Sequence, residues 1–149
     1  MDFQARYNTQ GFSLIEVMVV VGLLALFAGA VGPVYRTVQT KTNLDIAVAG
    51  VASAYRRAQA ASQSGNADAN WGVKFFTTHT VVFAGNSYAV RQASYDEKLD
   101  FPDDTTVSGN TEVVFTKFTG LPQATGTTTV TNSFGSKNLI VNAQGTVTY

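Results

Sequence analysis

Residues 17–35 form a run of 19 residues without a formal charge, and Glu16 stands immediately before it. This run constrains the fold more than any other feature. At helical rise it spans about 28 Å, close to the roughly 30 Å hydrocarbon core of a bilayer. A chain of 149 residues forms one small domain plus such a segment. The remaining ~110 residues can bury only a modest core, with no room for a helix that is apolar on every side. Glu16 sharpens the problem, since a carboxylate at the apolar centre of a span costs on the order of 2.5–3.5 kcal/mol on insertion scales. Such a residue calls for a partner.

Three readings compete for the first 35 residues. The simplest is a signal anchor. A second is a secretory signal peptide, for which Ala28, Gly29 and Ala30 supply the small-x-small cleavage pattern. Against it, the leading segment holds only Arg6 set against Asp2, and Glu16 falls inside the hydrophobic start. The third reading accounts for Glu16. Gly11-Phe12-Ser13-Leu14-Ile15-Glu16 resembles the processing motif of type IV prepilins and type II secretion pseudopilins.

That resemblance implies a leader over residues 1–11, removed on the cytoplasmic side by a prepilin peptidase that also methylates the new amine of Phe12. Gly11 suits the scissile position, since no side chain obstructs the backbone. Residues 12–35 are then the transmembrane and filament-core helix. In the family, the carboxylate corresponding to Glu16 neutralises that amine, on its own chain or a neighbouring subunit, during assembly. Pro33 lies near the far end of the run, after Gly29 and Gly32. It removes a helical donor and crowds the preceding turn, and pilin-like helices commonly carry a proline at about this depth. Processing is thus expected at Gly11 and Phe12, and assembly is expected to depend on Phe12, Glu16 and Pro33.

Past Pro33 the pattern becomes amphipathic over residues 36–65. Leu44, Val48, Val51, Ala52, Tyr55 and Ala58 share one face at helical spacing, continued in polar form by Gln59 and Ser62. Asp45, Ser53, Arg56, Arg57 and Ala60 fall on the flank or the opposite side. Ser64-Gly65-Asn66 supplies a glycine stop. The spacing predicts one helix over residues 12–64, about 80 Å long and interrupted at Pro33.

From Trp71 the period changes to two. WGVKFF, HTVVFAG, SYAVRQ, TEVVFTKF, TTTVTN, NLIVN and TVTY read as strands, with turns at residues 84–87, 108–110, 134–136 and 142–145. The expected class is α+β: a long N-terminal helix whose amphipathic half packs on an antiparallel sheet, with residues 66–149 as a β-rich head. WGVKFF, VVFTKFTGLP and KNLIVNAQGTVTY also resemble the head of H-type minor pseudopilins and related minor pilins.

Other chemistries find little support. Ten acidic and ten basic residues balance, and there is no cysteine, so neither bulk attraction to nucleic acid nor a thiolate metal site is expected. The single histidine, His79, lies in a Thr-rich segment without a nucleophile motif, and no glycine pattern forms a phosphate loop. Asp96, Glu97, Asp100, Asp103 and Asp104 crowd one segment, but their spacing is not that of a calcium loop and reads as a solvated turn. Lys117 and Lys137 are isolated and residues 145–149 carry no cation, which disfavours DNA uptake, since duplex binding needs several phosphate contacts. The expected protein is a non-enzymatic minor pseudopilin or minor pilin without metal or cofactor. Its expected partners are the prepilin peptidase, other pilin or pseudopilin subunits and the inner membrane, crossed once with the head outside the cytoplasm. The alternatives are a β-rich binding domain released after Ala30 and a DNA-uptake minor pilin.

Overall fold

The computed structural model describes residues 11–149; the side chains of residues 29–34 lie outside the described set. The chain divides into two compact units, one ending at Arg36 and the other spanning Thr37–Tyr149. A single helix, α1 (Leu14–Gln63), has residues in both. Helical backbone continues through Pro33, so the interruption expected there does not occur. A proline removes one hydrogen bond and can be carried inside a longer helix that continues on both sides.

In the second unit, α1 has one buried stripe. Leu44, Val48, Val51, Tyr55, Ala58 and Ser62 are buried at alternating steps of four and three, with Ala47, Ala52 and Ala54 beside them. Asp45, Ser53, Arg56, Arg57 and Ala60 are exposed. The stripe packs on strands β1 (Trp71–Phe75), β2 (His79–Ala84), β5 (Glu112–Phe115), β6 (Gly126–Thr131) and β7 (Ser136–Val141), which share its hydrophobic cluster. The helix stops as expected: Gly65 takes φ +68°, the Ser64 and Gly65 amides donate to the carbonyls of Ala60 and Ser62, and the Phe118 ring closes over the turn.

Among the described residues eight strands form two antiparallel sheets of four, where one sheet was expected. The first has the order β3-β2-β1-β5, where β3 is Gln92–Asp100; the second is β4-β6-β7-β8, with β4 at Thr106–Gly109 and β8 at Val147–Thr148. Tyr55 bridges them. Its ring packs 5.2 Å from Phe75 and 6.4 Å from Phe115 in the first sheet, and its hydroxyl lies 2.7 Å from Thr128 Oγ1 in the second. Burial pushes the Tyr55 phenol up to about 12, against the opposing effect of the Thr128 hydrogen bond. Ser62 fastens the helix end by accepting from the Trp71 amide at 3.0 Å and donating to the Phe115 carbonyl at 2.9 Å.

Three local expectations are corrected. SYAVRQ is not a strand: Tyr88–Val90 is a 3₁₀ turn. The Tyr88 ring packs edge-on against Phe83 and Phe76 on the outer face of the first sheet, with the Arg91 guanidinium 3.8 Å above it. The acidic segment expected as a loop contains β3, an edge strand, where charged side chains protect the free edge. Residues 106–109, half of which read as a turn, form β4.

Candidate functional site

The expected processing and assembly residues precede and enter α1. Residues 1–10, most of the expected leader, lie outside the described set. Gly11, Phe12 and Ser13 have no regular secondary structure, and Phe12 is 83% exposed. Ser13 caps the helix: its hydroxyl accepts from the Glu16 amide at 3.3 Å, while its carbonyl accepts from the amides of Glu16 at 3.1 Å and Val17 at 3.3 Å. Ser13-Leu14-Ile15-Glu16 therefore has the S-x-x-E order of a capping box, with an acid in the first turn. Sequence reasoning overlooked this Ser13 cap, although the signature was visible in the motif itself; the reciprocal bond from the Glu16 side chain to the Ser13 amide is not formed. The Glu16 carboxylate has no protein partner among the described residues.

Beyond the cap, Leu14, Ile15, Val21, Leu23, Leu24 and Phe27 are all exposed, on every side of the helix. Phe12, Glu16, Val17, Val20 and Val21 line a shallow groove of about 230 Å³ along it. A helix apolar all round is stable in water only when something covers it. Among the described residues no helix is long and apolar enough to cross a membrane. The stretch with described side chains, residues 14–28, extends about 22 Å at helical rise, short of a hydrocarbon core of about 30 Å. Pro33 is helical in backbone and its side chain lies outside the described set.

The head's chemically tempting residues are individually engaged. Asp96 pairs with Arg91, Glu97 with Arg57 and Asp100 with Lys98. Hydrogen bonds from Ser133 hold the Asp104 carboxyl below the usual carboxylate range. Among the described residues no group of three or more His, Cys, Asp or Glu could hold a metal ion. His79 stacks on Phe76 with ring centroids 4.6 Å apart. Lys117 is paired with Asp68 and Lys137 with Asp45, so neither opens a basic patch.

Residues 6–32 match the family model of the prokaryotic N-terminal methylation motif. The match supports a type IV pilin-like protein and covers the cap, Glu16 and most of the apolar run; it does not extend to the head. No curated protein sequence matches the chain, and no solved structure does.

Proposed function

We propose that the chain is a minor pseudopilin or minor pilin, a structural subunit of a type II secretion pseudopilus or type IV pilus that performs no chemistry. The observation that carries this reading is the methylation-motif match over residues 6–32, on a helix start where Gly11 and Phe12 are accessible. A prepilin peptidase cuts after Gly11 and methylates Phe12. The uncharged run of residues 17–35 anchors the precursor as a single pass through the inner membrane, with the head outside the cytoplasm, and packs in the filament core after assembly. The two-sheet head on an amphipathic helix supports a pilin-like subunit, and the resemblance of its strand segments to those of H-type minor pseudopilins makes that subfamily the preferred one.

In this reading Glu16 neutralises the Phe12 amine of its own or a neighbouring subunit, which answers why an acid precedes an apolar run. The test separates this role from capping. Glu16→Gln keeps a capping-box side chain and loses the charge, whereas Glu16→Ala loses both. Both variants should be cut after Gly11, and both should be depleted to a similar extent from sheared filaments or partner-subunit complexes. Depletion confined to the alanine variant would reduce Glu16 to a helix cap. Wild-type incorporation of both would remove it from assembly altogether.

A further inference from the structure

Within the second unit, the hairpin of β6 and β7 runs against α1 and is tied to it at four levels. Gln59 Nε2 donates to the Gln144 carbonyl, just past β7, at 3.3 Å. The Tyr55 hydroxyl lies 2.7 Å from Thr128 Oγ1 in β6. Lys137 pairs with Asp45 at 2.8 Å, and Asn132 Nδ2 donates to the Thr40 carbonyl at 2.7 Å. The helix partners descend in order from Gln59 to Thr40, so the connecting turn, residues 132–135, points toward the N-terminal side of α1. At its tip Phe134 is 48% exposed.

This turn leaves no backbone donor to water. The amides of Asn132 and Gly135 donate to each other's carbonyls at 2.9 and 3.2 Å, and Asn132 Oδ1 accepts from the Phe134 amide at 2.9 Å. Asp104 Oδ2 accepts from the Ser133 amide at 3.2 Å and also from the Ser133 hydroxyl. A loop satisfied in this way can enter a poorly hydrated layer without stranding an N–H group. Its charged neighbours in segments 36–45, 101–104 and 131–137 cancel: Arg36, Lys41 and Lys137 against Asp45, Asp103 and Asp104. The balance provides no particular attraction to anionic lipid.

Only five residues separate Thr40 from Tyr35, where the uncharged run ends. That link spans about 7.5 Å as helix and at most about 18 Å fully extended. The headgroup layer on one side of a bilayer is about 5–8 Å deep. We infer that the β6–β7 turn is a lipid-contacting site, with Phe134 seated in the headgroup layer of the leaflet from which the head emerges. It rests on the single-pass anchor proposed above and gives the head a second foothold on the same bilayer. The far pole stays in water: the Phe118 amide donates to the Ser62 carbonyl, about 33 Å beyond Thr40 at helical rise.

The test uses the full chain, which has no cysteine of its own, reconstituted in phosphatidylcholine vesicles with one nitroxide-labelled cysteine at a time. Gly135→Cys sets the label beside Phe134, where a Cβ meets no atom within 4 Å. Thr119→Cys reports the far pole and Leu23→Cys the anchor. Electron paramagnetic resonance reads the collision of each label with oxygen, which concentrates in lipid, and with a water-soluble nickel chelate. The label at residue 23 should be buried in lipid and that at residue 119 exposed to water. At residue 135 the nickel collision rate should be several-fold below that at residue 119, and the oxygen rate above it. Adding Phe134→Ser should return both rates to those at residue 119, and added phosphatidylglycerol should change neither. A label at residue 135 as exposed as that at residue 119, with residue 23 buried, would overturn the lipid contact and leave the anchor standing. An exposed label at residue 23 would overturn both. A fall in both rates at residue 135 would mean protein in place of lipid, and protection that survives Phe134→Ser or requires anionic lipid would remove Phe134 from the contact; either result would overturn the assignment.

Discussion

The two stretches of α1 are both rich in apolar residues, the first more so, and use them in opposite ways. From residue 14 to 28 large apolar side chains are exposed on all sides, and the only sequence-local polar feature is the cap made by Ser13 and Glu16. From Leu44 to Ser62 one stripe of mainly apolar residues is buried against the two sheets, while Ile46, Arg56 and Arg57 face solvent. The difference teaches that hydrophobicity alone does not define a core. The second stretch has a partner within its own chain, patterned to match it. The first has none among the described residues and requires an external one.

The largest expected effect tests that contrast with one truncation in each stretch. Tyr55→Ala removes the ring that joins both sheets and should cost about 3–5 kcal/mol of head stability, measured by chemical denaturation. Leu24→Ala should leave the same transition unmoved; a comparable loss from Leu24→Ala would erase the distinction.

Next in size is an alkaline effect. The folded-state pKa of Tyr55, about 12, lies above its ordinary value of 10.0 because burial disfavours the phenolate. A raised folded pKa gives stability that is fully present below pH 10 and lost as pH rises through 12, on the order of 2–3 kcal/mol in total. Tyr55→Phe should start about 1 kcal/mol less stable, through the lost hydrogen bond to Thr128, and should show a shallower alkaline decline. An identical alkaline slope in both proteins would contradict the assignment to Tyr55.

Gly65→Ala follows, at about 1–2 kcal/mol by thermal or chemical unfolding, from the left-handed conformation alone. A Cβ there would also lie 2.8 Å from Phe118 Cε1, so the ring must shift. A neutral substitution would mean that the helix stop is set elsewhere. Smallest of all should be the effect of removing residues 1–36. The unit Thr37–Tyr149 should retain a cooperative thermal transition, because the buried cluster draws on Leu44 and residues beyond it. Loss of cooperativity would show that the first stretch supports the head after all.

Much of this was legible in the sequence because burial and periodicity coincide. Leu44, Val48, Val51, Ala52, Tyr55 and Ala58 could be placed on one face from spacing alone, and β1, β2, β5, β6, β7 and β8 follow visible apolar alternation. What was not legible depends on tertiary context. SYAVRQ alternates like a strand, yet Tyr88 is drawn across Phe83 and Phe76 and the segment turns instead. β3 carries Asp96, Glu97, Lys98 and Asp100, a composition that reads as a loop and is tolerated because the strand lies at an edge. The division into two sheets leaves no local mark, since strand order is settled by long-range pairing. In the N-terminal site, Glu16 drew attention as an intramembrane acid while the Ser13 cap three residues before it passed unnoticed.

The central claim is that the exposed first stretch of α1 begins a processed subunit, and the mass of the mature chain tests it most directly. Co-expressed with a prepilin peptidase, the protein should lose residues 1–11 and carry one methyl group on the amine of Phe12. Gly11→Val should remain at precursor mass, since a branched side chain occupies the scissile position. A mature chain beginning at Val31, or an uncut chain in the presence of an active peptidase, would contradict the account.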